Sequence, residues 1–292
     1  MNVIETRGLG KRYGGTWALR ECTLAVPARH VTALVGPNGA GKTTLLNLAV
    51  GLTTPSSGTV TVLGGLPPGS PAALDGIAFV AQDTPVHKNL SAADMIHMTR
   101  NLNRRFDQDY AQSRLGELGI PLRRKAGALS GGQRAQLALT LALARRPQLL
   151  VLDEPVAMLD PVARHDFLAT VQAVAADGVT VLLSSHVIAE LERVADYLIV
   201  LSAARVQLAG EVDDLLASHR MLTRAHAGGP ASRGRRAGAR DHMLVQATQA
   251  DEVPPGWESH PAGLEELVLA YLREPGAAPD RGRNAHQSEV AQ

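Results

Sequence analysis

The chain's most specific chemistry is concentrated in Gly36-Pro37-Asn38-Gly39-Ala40-Gly41-Lys42-Thr43-Thr44. Gly36, Gly41, Lys42 and Thr43 fit the pattern G-x-x-x-x-G-K-[ST], whose glycines let successive backbone N–H groups turn toward one anion. A lysine at this position neutralises β- and γ-phosphates, and the hydroxyl after it suits Mg²⁺. An apolar run, Val31 to Val35, precedes the motif, and a helical pattern, Thr44 to Val50, follows it. A buried strand therefore leads through a glycine turn into a helix whose N-terminus favours negative charge. Lysine is otherwise scarce, at Lys11, Lys88 and Lys125. A glycine turn that merely caps a helix is the competing reading, and this context sets it aside. These residues predict a nucleoside-triphosphate site.

Two carboxylates end a second apolar run, Leu149-Leu150-Val151-Leu152-Asp153-Glu154-Pro155. Such a run reads as a parallel strand buried on both faces, and ligands of open parallel sheets sit beyond the carboxyl ends of strands. Asp153 is then placed to support Mg²⁺, and Glu154 to take a proton from an attacking water. Asp160 with Pro161 reads as the start of the next helix. A further β-branched and apolar strand, Val179 to Leu183, leads into Ser184-Ser185-His186. His186 is either a helix-start residue or a catalytic one. In Leu129-Ser130-Gly131-Gly132-Gln133, Ser130 reads as an N-cap. Glycines in a first turn cost helix stability and leave N–H groups bare, which suggests close approach of a second anion. Tyr13 can stack on a base or pack against a sheet. Gln82 and Asp83 form a polar pair after the apolar run Ile77 to Ala81.

The elements that must position these residues follow from pattern. Val3–Thr6 and Leu19–Val26 read as strands around a turn at Gly14-Gly15, and Gly58–Leu63 and Ile77–Ala81 as further strands. Ser91 with Asp94 is a capping-box variant opening a helix to about Asn103, and Phe106 to Leu118 is another, closed by Gly119 and Pro121. This block interrupts the βαβ rhythm as a helical insertion over about 83–129. The helix after Ser130 runs to Arg146, where Pro147 ends it. Tyr197–Leu201 and Arg205–Ala209 resemble a closing hairpin, with a helix from Asp213 to about Ala217. The predicted organisation is a nucleoside-triphosphate-binding domain over 1–218, a basic flexible linker over 219–242, a small strand and helix extension over 243–275, and a disordered tail over 276–292. In the extension, Leu264, Leu267, Val268 and Tyr271 share one face of an amphipathic helix.

Composition narrows the classes. The 292 residues are 45% apolar and 20% charged, values of a globular protein that is not membrane-embedded. A net charge of +1 gives no general case for nucleic acid, and none is expected as a partner. The lone Cys22 excludes a disulfide framework and cysteine zinc sites. No signal peptide is expected from the N-terminal residues, and Ala135 to Ala144 is too short to span a bilayer.

Taken together, the aromatic before the first strands, the phosphate loop, the glutamine, the Leu-Ser-Gly-Gly-Gln segment and the carboxylate pair with a later histidine resemble the ATP-binding subunits of ABC transporters, over about residues 3–217. The resemblance implies an α/β P-loop NTPase core with a mostly parallel sheet, an N-terminal antiparallel β-subdomain and an inserted helical subdomain. It implies ATP and Mg²⁺ as ligands. Tyr13 would stack on adenine, Gly36 to Thr44 would hold the triphosphate, and Thr43, Gln82 and Asp153 would serve the metal. Glu154 would act as general base, with Gln82 at the lytic water and His186 on the γ-phosphate. Ser130, Gly131, Gly132 and Gln133 would meet ATP held by a second copy of the chain or a paralogous subunit, in a head-to-tail dimer that Asp160 also touches. The implied activity is ATP hydrolysis energising an integral membrane permease on another chain, with this chain cytoplasmic and peripheral on the inner face of the membrane. The tail resembles subunits of exporters. The family usually carries a small residue and a glycine ahead of Leu-Asp; here Ala157-Met158 precedes Leu159-Asp160, and the bulkier Met158 puts the Asp160 contact in question. The competing function is a soluble ABC-type ATPase acting on ribosomes or DNA. Against it stand the single nucleotide domain and the lack of a long heptad insertion; the Arg-rich segment is its only support.

Overall fold

A computed structural model of the chain describes residues 1–82, 86–157, 159–225, 240–246, 253 and 255–273. A six-stranded sheet of order β5-β6-β7-β3-β8-β9 forms its centre. It comprises β3 (Val31–Val35), β5 (Ile77–Val80), β6 (Leu149–Asp153), β7 (Thr180–Ser185), β8 (Tyr197–Ser202) and β9 (Arg205–Glu211). All are parallel except β9, which returns antiparallel along β8. The apolar runs form central strands because both faces are covered. Leu150 and Leu152 enter one core while Leu149 and Val151 enter the other.

One face carries α1 (Lys42–Ala49) and an antiparallel sheet of order β2-β1-β4, formed by β1 (Asn2–Tyr13), β2 (Thr16–Pro27) and β4 (Ser57–Val62). The expected N-terminal strands are thus longer than their apolar cores, because the hairpin continues to the Gly14-Gly15 turn, where both residues have positive φ. Between β4 and β5 lies α2 (Pro71–Gly76), capped by Ser70 and absent from the sequence reading. The opposite face carries α5 (Gly131–Leu143), α6 (Pro161–Ala176), α7 (Ile188–Leu191) and α8 (Val212–Ala217). The inserted helices, α3 (Ala92–Leu102) and α4 (Gln108–Glu117), form a third cluster with Leu137 of α5. Ser91 and Asp94 make the full reciprocal capping box at the start of α3. Helix α5 stops at Leu143 rather than Arg146, because Arg146 takes φ 52° ahead of Pro147.

The linker assignment needs correction. His219–Ala225 is strand β10, paired with β11 (Arg240–Gln246) and β12 (Glu258–Pro261) in a third sheet of order β11-β10-β12. Arginine and polar residues hid that strand in the sequence, but Met221, Leu222 and Thr223 are all buried. The extension is also not separate. Leu264, Leu267, Val268 and Tyr271 of α9 (Leu264–Arg273) join the main core beside Leu191, Leu198 and Leu215. Buried His219 fixes the junction: its Nδ1 lies 2.8 Å from the Leu215 carbonyl and its Nε2 3.0 Å from Tyr271 Oη. A carbonyl only accepts, so Nδ1 carries a hydrogen for Leu215. The expected disordered tail, Met158 and most of the Arg-rich segment lie outside the described residues.

Candidate functional site

Strands β6, β7 and β3 are neighbours and parallel, so their carboxyl ends present three loops at one sheet edge. The loop after β3 is shaped by close backbone approach. A Cβ on Gly36 would collide with the Leu201 carbonyl oxygen, and one on Gly41 with that of Ala18. Gly39 and Gly41 also take φ 80° and 105°, which L side chains resist. Gly41 is the N-cap of α1 and makes no side-chain cap, and the first helical bond runs from Leu45 N–H to Gly41. The N–H groups of Lys42, Thr43 and Thr44 therefore have no intrahelical acceptor and are available to an anion. Pro37, Asn38, Gly39 and Thr43 are exposed, while Ala40 is buried.

Lys42 folds back across this loop. Its ammonium donates to the carbonyls of Gly36 at 2.8 Å and Pro37 at 3.3 Å, and pairs with Glu154 Oε1 at 3.2 Å. The pair is dry, with side-chain exposures of 6% and 10%. The other Glu154 oxygen lies 3.1 Å from His186 Nδ1. The expected phosphate lysine, general base and strand-end histidine thus meet in one chain of polar contacts. A buried pair of this kind is costly to break from one side only. A ligand phosphate entering the loop offers Lys42 the charge that Glu154 supplies here.

Behind them, Asp153 is 1% exposed. Ser184, its partner across the β6–β7 ladder, donates its hydroxyl to Asp153 Oδ1 at 2.6 Å and accepts the Glu154 N–H at 2.9 Å. Glu154 itself holds φ 46°, an uncommon conformation for a residue with a side chain. The sequence places Ser184 directly after an apolar run but gives it no role; its only signal is a hydroxyl at the strand's carboxyl end. A second missed pair lies beside His186, where Arg164 of α6 pairs with Glu190 of α7 and donates to the Leu159 carbonyl at 3.2 Å. Burial pushes the Glu190 carboxyl up, opposed by Arg164 and then by His186.

The remaining expected residues lie around this centre. Tyr13 is half-exposed, with Lys11 Nζ 5.1 Å from its ring centroid, so its face is not buried in the sheet. Gln82 is exposed, two residues past Val80, which pairs with Leu152. Its backbone level is therefore that of Glu154, although it makes no contact that joins the Lys42 cluster among the described hydrogen bonds. Asp160 caps α6 by accepting from Val162 and Ala163 N–H at 3.0 and 2.9 Å. Ser130 and Gln133 cap each other: the serine hydroxyl accepts from Gln133 N–H and the glutamine side chain from Ser130 N–H, both at 3.1 Å. Gly132 has a packing reason that the sequence did not reveal. A Cβ there would lie 2.8 Å from that of Ala163, so α5 and α6 meet too closely for a side chain.

Whether Mg²⁺ fits can be judged from the donors. No cluster of three or more His, Cys, Asp or Glu residues suited to a metal occurs among the described residues. Asp153 and the Thr43 hydroxyl are a sparse oxygen set, which suits an ion that keeps waters and takes substrate phosphates rather than one in an all-protein cage.

A family model described as "ABC transporter" matches residues 19–157. Nod factor export ATP-binding protein I of Cupriavidus pinatubonensis is 36% identical over 228 residues, covering 74% of this chain and 68% of the relative. The lantibiotic transport ATP-binding protein SrtF of Streptococcus pyogenes is 29% identical, covering 72% of this chain and 92% of its own. Among solved structures, an ATP-binding subunit of an ABC transporter superposes with a TM-score of 0.66 at 26% identity, covering 73% of this chain and 91% of that one. A nucleotide-free ATP-binding cassette from an ABC transporter gives 0.65 at 26% identity, covering 72% and 92%.

Proposed function

Because the chain belongs to the ABC transporter family, as an ATP-binding ATPase subunit, we propose that it energises export through a permease on a separate chain. The observation that carries this reading is the meeting of Lys42, Glu154 and His186 at the carboxyl ends of adjacent parallel strands. The relatives named for export and lantibiotic transport supply the direction.

In this reading the triphosphate lies in the Gly36–Thr44 loop against the bare N–H groups of α1, with adenine on Tyr13. Lys42 exchanges Glu154 for phosphate oxygens. Asp153, Thr43 and Gln82 would hold Mg²⁺, which would supply positive charge against the phosphates. Glu154, released from Lys42, accepts a proton from the attacking water. His186 hydrogen-bonds the γ-phosphate, and Gln82 orients the water. Ser130, Gly131, Gly132 and Gln133 complete the site of a second subunit, with Asp160 at the same interface. In such a dimer the γ-phosphate is shared between two chains. Hydrolysis removes the shared ligand, and the difference between closed and open states biases the permease.

An apolar groove of about 200 Å³, lined by Phe79, Val80, Val86, Met95, Met98 and Leu141, reaches the end of β5, two residues before Gln82. It supports docking of a cytoplasmic helix of the permease beside the metal-contacting glutamine. No helix among the described residues is long and apolar enough to cross a membrane, so the membrane contact is assigned to the partner. The chain would then sit on the cytoplasmic face.

The test is a disulfide cross-link. Asn38 and Ser130 are exposed and Cys22 is buried, so cysteines at the first two positions react without interference. In an N38C/S130C chain also carrying Glu154→Gln, Mg-ATP is expected to give a covalent dimer that ADP does not. Equal cross-linking with both nucleotides would remove the shared γ-phosphate from the scheme.

A further inference from the structure

We propose that Ser184 is a positioning residue that sets both the metal carboxylate and the general base through one hydroxyl. This rests on the roles given to Asp153 and Glu154 above. A serine hydroxyl has one proton to give and lone pairs to receive. Here the proton goes to Asp153 Oδ1, at 2.6 Å, and the lone pair receives the N–H of the peptide joining Asp153 to Glu154, at 2.9 Å. One side chain therefore holds the carboxylate of the first residue and the backbone of the second.

The geometry leaves little that could substitute. Ser184 is fully buried and Asp153 is 1% exposed, so water cannot take over either bond. Asp153 and Ser184 stand opposite each other in the parallel ladder, which fixes the approach from the backbone. With Oδ1 held, Oδ2 is the oxygen left for a metal. Glu154 holds φ 46°, and an uncommon backbone conformation persists only where the surroundings determine it. The Ser184 bond to its N–H is such a determinant, and that conformation carries the carboxylate to Lys42 and His186. A serine that only satisfied itself in a core would need one partner. This one bridges two residues of the proposed reaction.

The experiment compares wild type with Ser184→Ala, Ser184→Thr and Asp153→Asn in the full chain. It measures ADP affinity without metal, Mn²⁺ affinity of the ADP complex by electron paramagnetic resonance, and turnover against Mg²⁺ concentration. Ser184→Ala is expected to weaken Mn²⁺ and lower kcat by about tenfold each, the loss of one charge-assisted hydrogen bond, with metal-free ADP affinity within about twofold. Ser184→Thr, which keeps the hydroxyl, is expected to stay near wild type. Wild-type Mn²⁺ affinity and kcat in Ser184→Ala would overturn the proposal. So would loss of its metal-free ADP binding, which would assign the hydroxyl to folding alone. Should Asp153→Asn also bind Mn²⁺ as wild type does, the metal assignment of Asp153 fails, a result distinct from failure at Ser184.

Discussion

Replacing Glu154 with glutamine exchanges a carboxylate for an amide of the same shape, and its two consequences have opposite signs. Glu154 holds Lys42 at 3.2 Å with both side chains largely buried. Two unit charges at that distance attract by about 5 kcal/mol at an effective dielectric of ~20 and about 1.3 kcal/mol in water. Desolvation offsets part of this, and a charge-assisted hydrogen bond nets about 1.5–3 kcal/mol. Nucleotide must displace that contact before Lys42 can reach a phosphate, so removing the charge should tighten ADP by roughly tenfold to hundredfold, at about 1.4 kcal/mol per decade. Lys42 keeps the Gly36 and Pro37 carbonyls, so the loop itself should survive. Turnover should fall by ~10²–10⁴, the worth of general-base help. ADP is the right probe because it lacks the γ-phosphate that would draw a second subunit into the measurement. Calorimetric titration with ADP and phosphate release from ATP give the two numbers. Unchanged or weaker ADP binding would refute the Lys42–Glu154 latch, and wild-type turnover would remove Glu154 as the base.

Gly132→Ala tests why the second glycine of the Leu-Ser-Gly-Gly-Gln segment is there. Forcing a Cβ to within 2.8 Å of Ala163 Cβ should cost about 1–3 kcal/mol, against a helix-propensity gain of about 1 kcal/mol. A lowered Tm in the nucleotide-free chain is expected, and an unchanged or raised one would leave ligand approach as the only reason for the glycine. The N-cap of α4 supplies a pH test. The Tyr110 N–H, and then Arg146, hold the Asp107 carboxyl below its ordinary value of 3.8. A carboxyl lowered on folding adds stability that is complete above the unfolded value and is lost as pH falls through the folded one. Asp107→Asn should therefore flatten the fall in Tm below about pH 4; an acid profile identical to wild type would remove Asp107 from that transition.

Much of the chemistry was legible in the sequence because it resides in local patterns. The glycine spacing of Gly36 to Gly41 predicted the phosphate turn, and the Leu201 and Ala18 carbonyls that an added Cβ would strike show why two of those positions exclude a side chain. The caps at Ser91, Ser130 and Asp160 were readable for the same reason, since a cap is completed within four residues. Buried runs ending in Asp153-Glu154 and Ser184-Ser185-His186 identified the parallel strands. What could not be read was which strands lie side by side. The order β6-β7-β3 is a non-local fact, and it alone brings Lys42 to Glu154 and Ser184 to Asp153, residues far apart along the chain. The same limit applied to β10, whose arginines resemble a linker until β11 and β12 pair with it. It applied to Gly132 as well, whose neighbour Ala163 belongs to another helix. Local spacing fixes what a segment can do on its own. Packing across the sheet decides which segments act together, because those contact energies exist only once the chain has closed on itself.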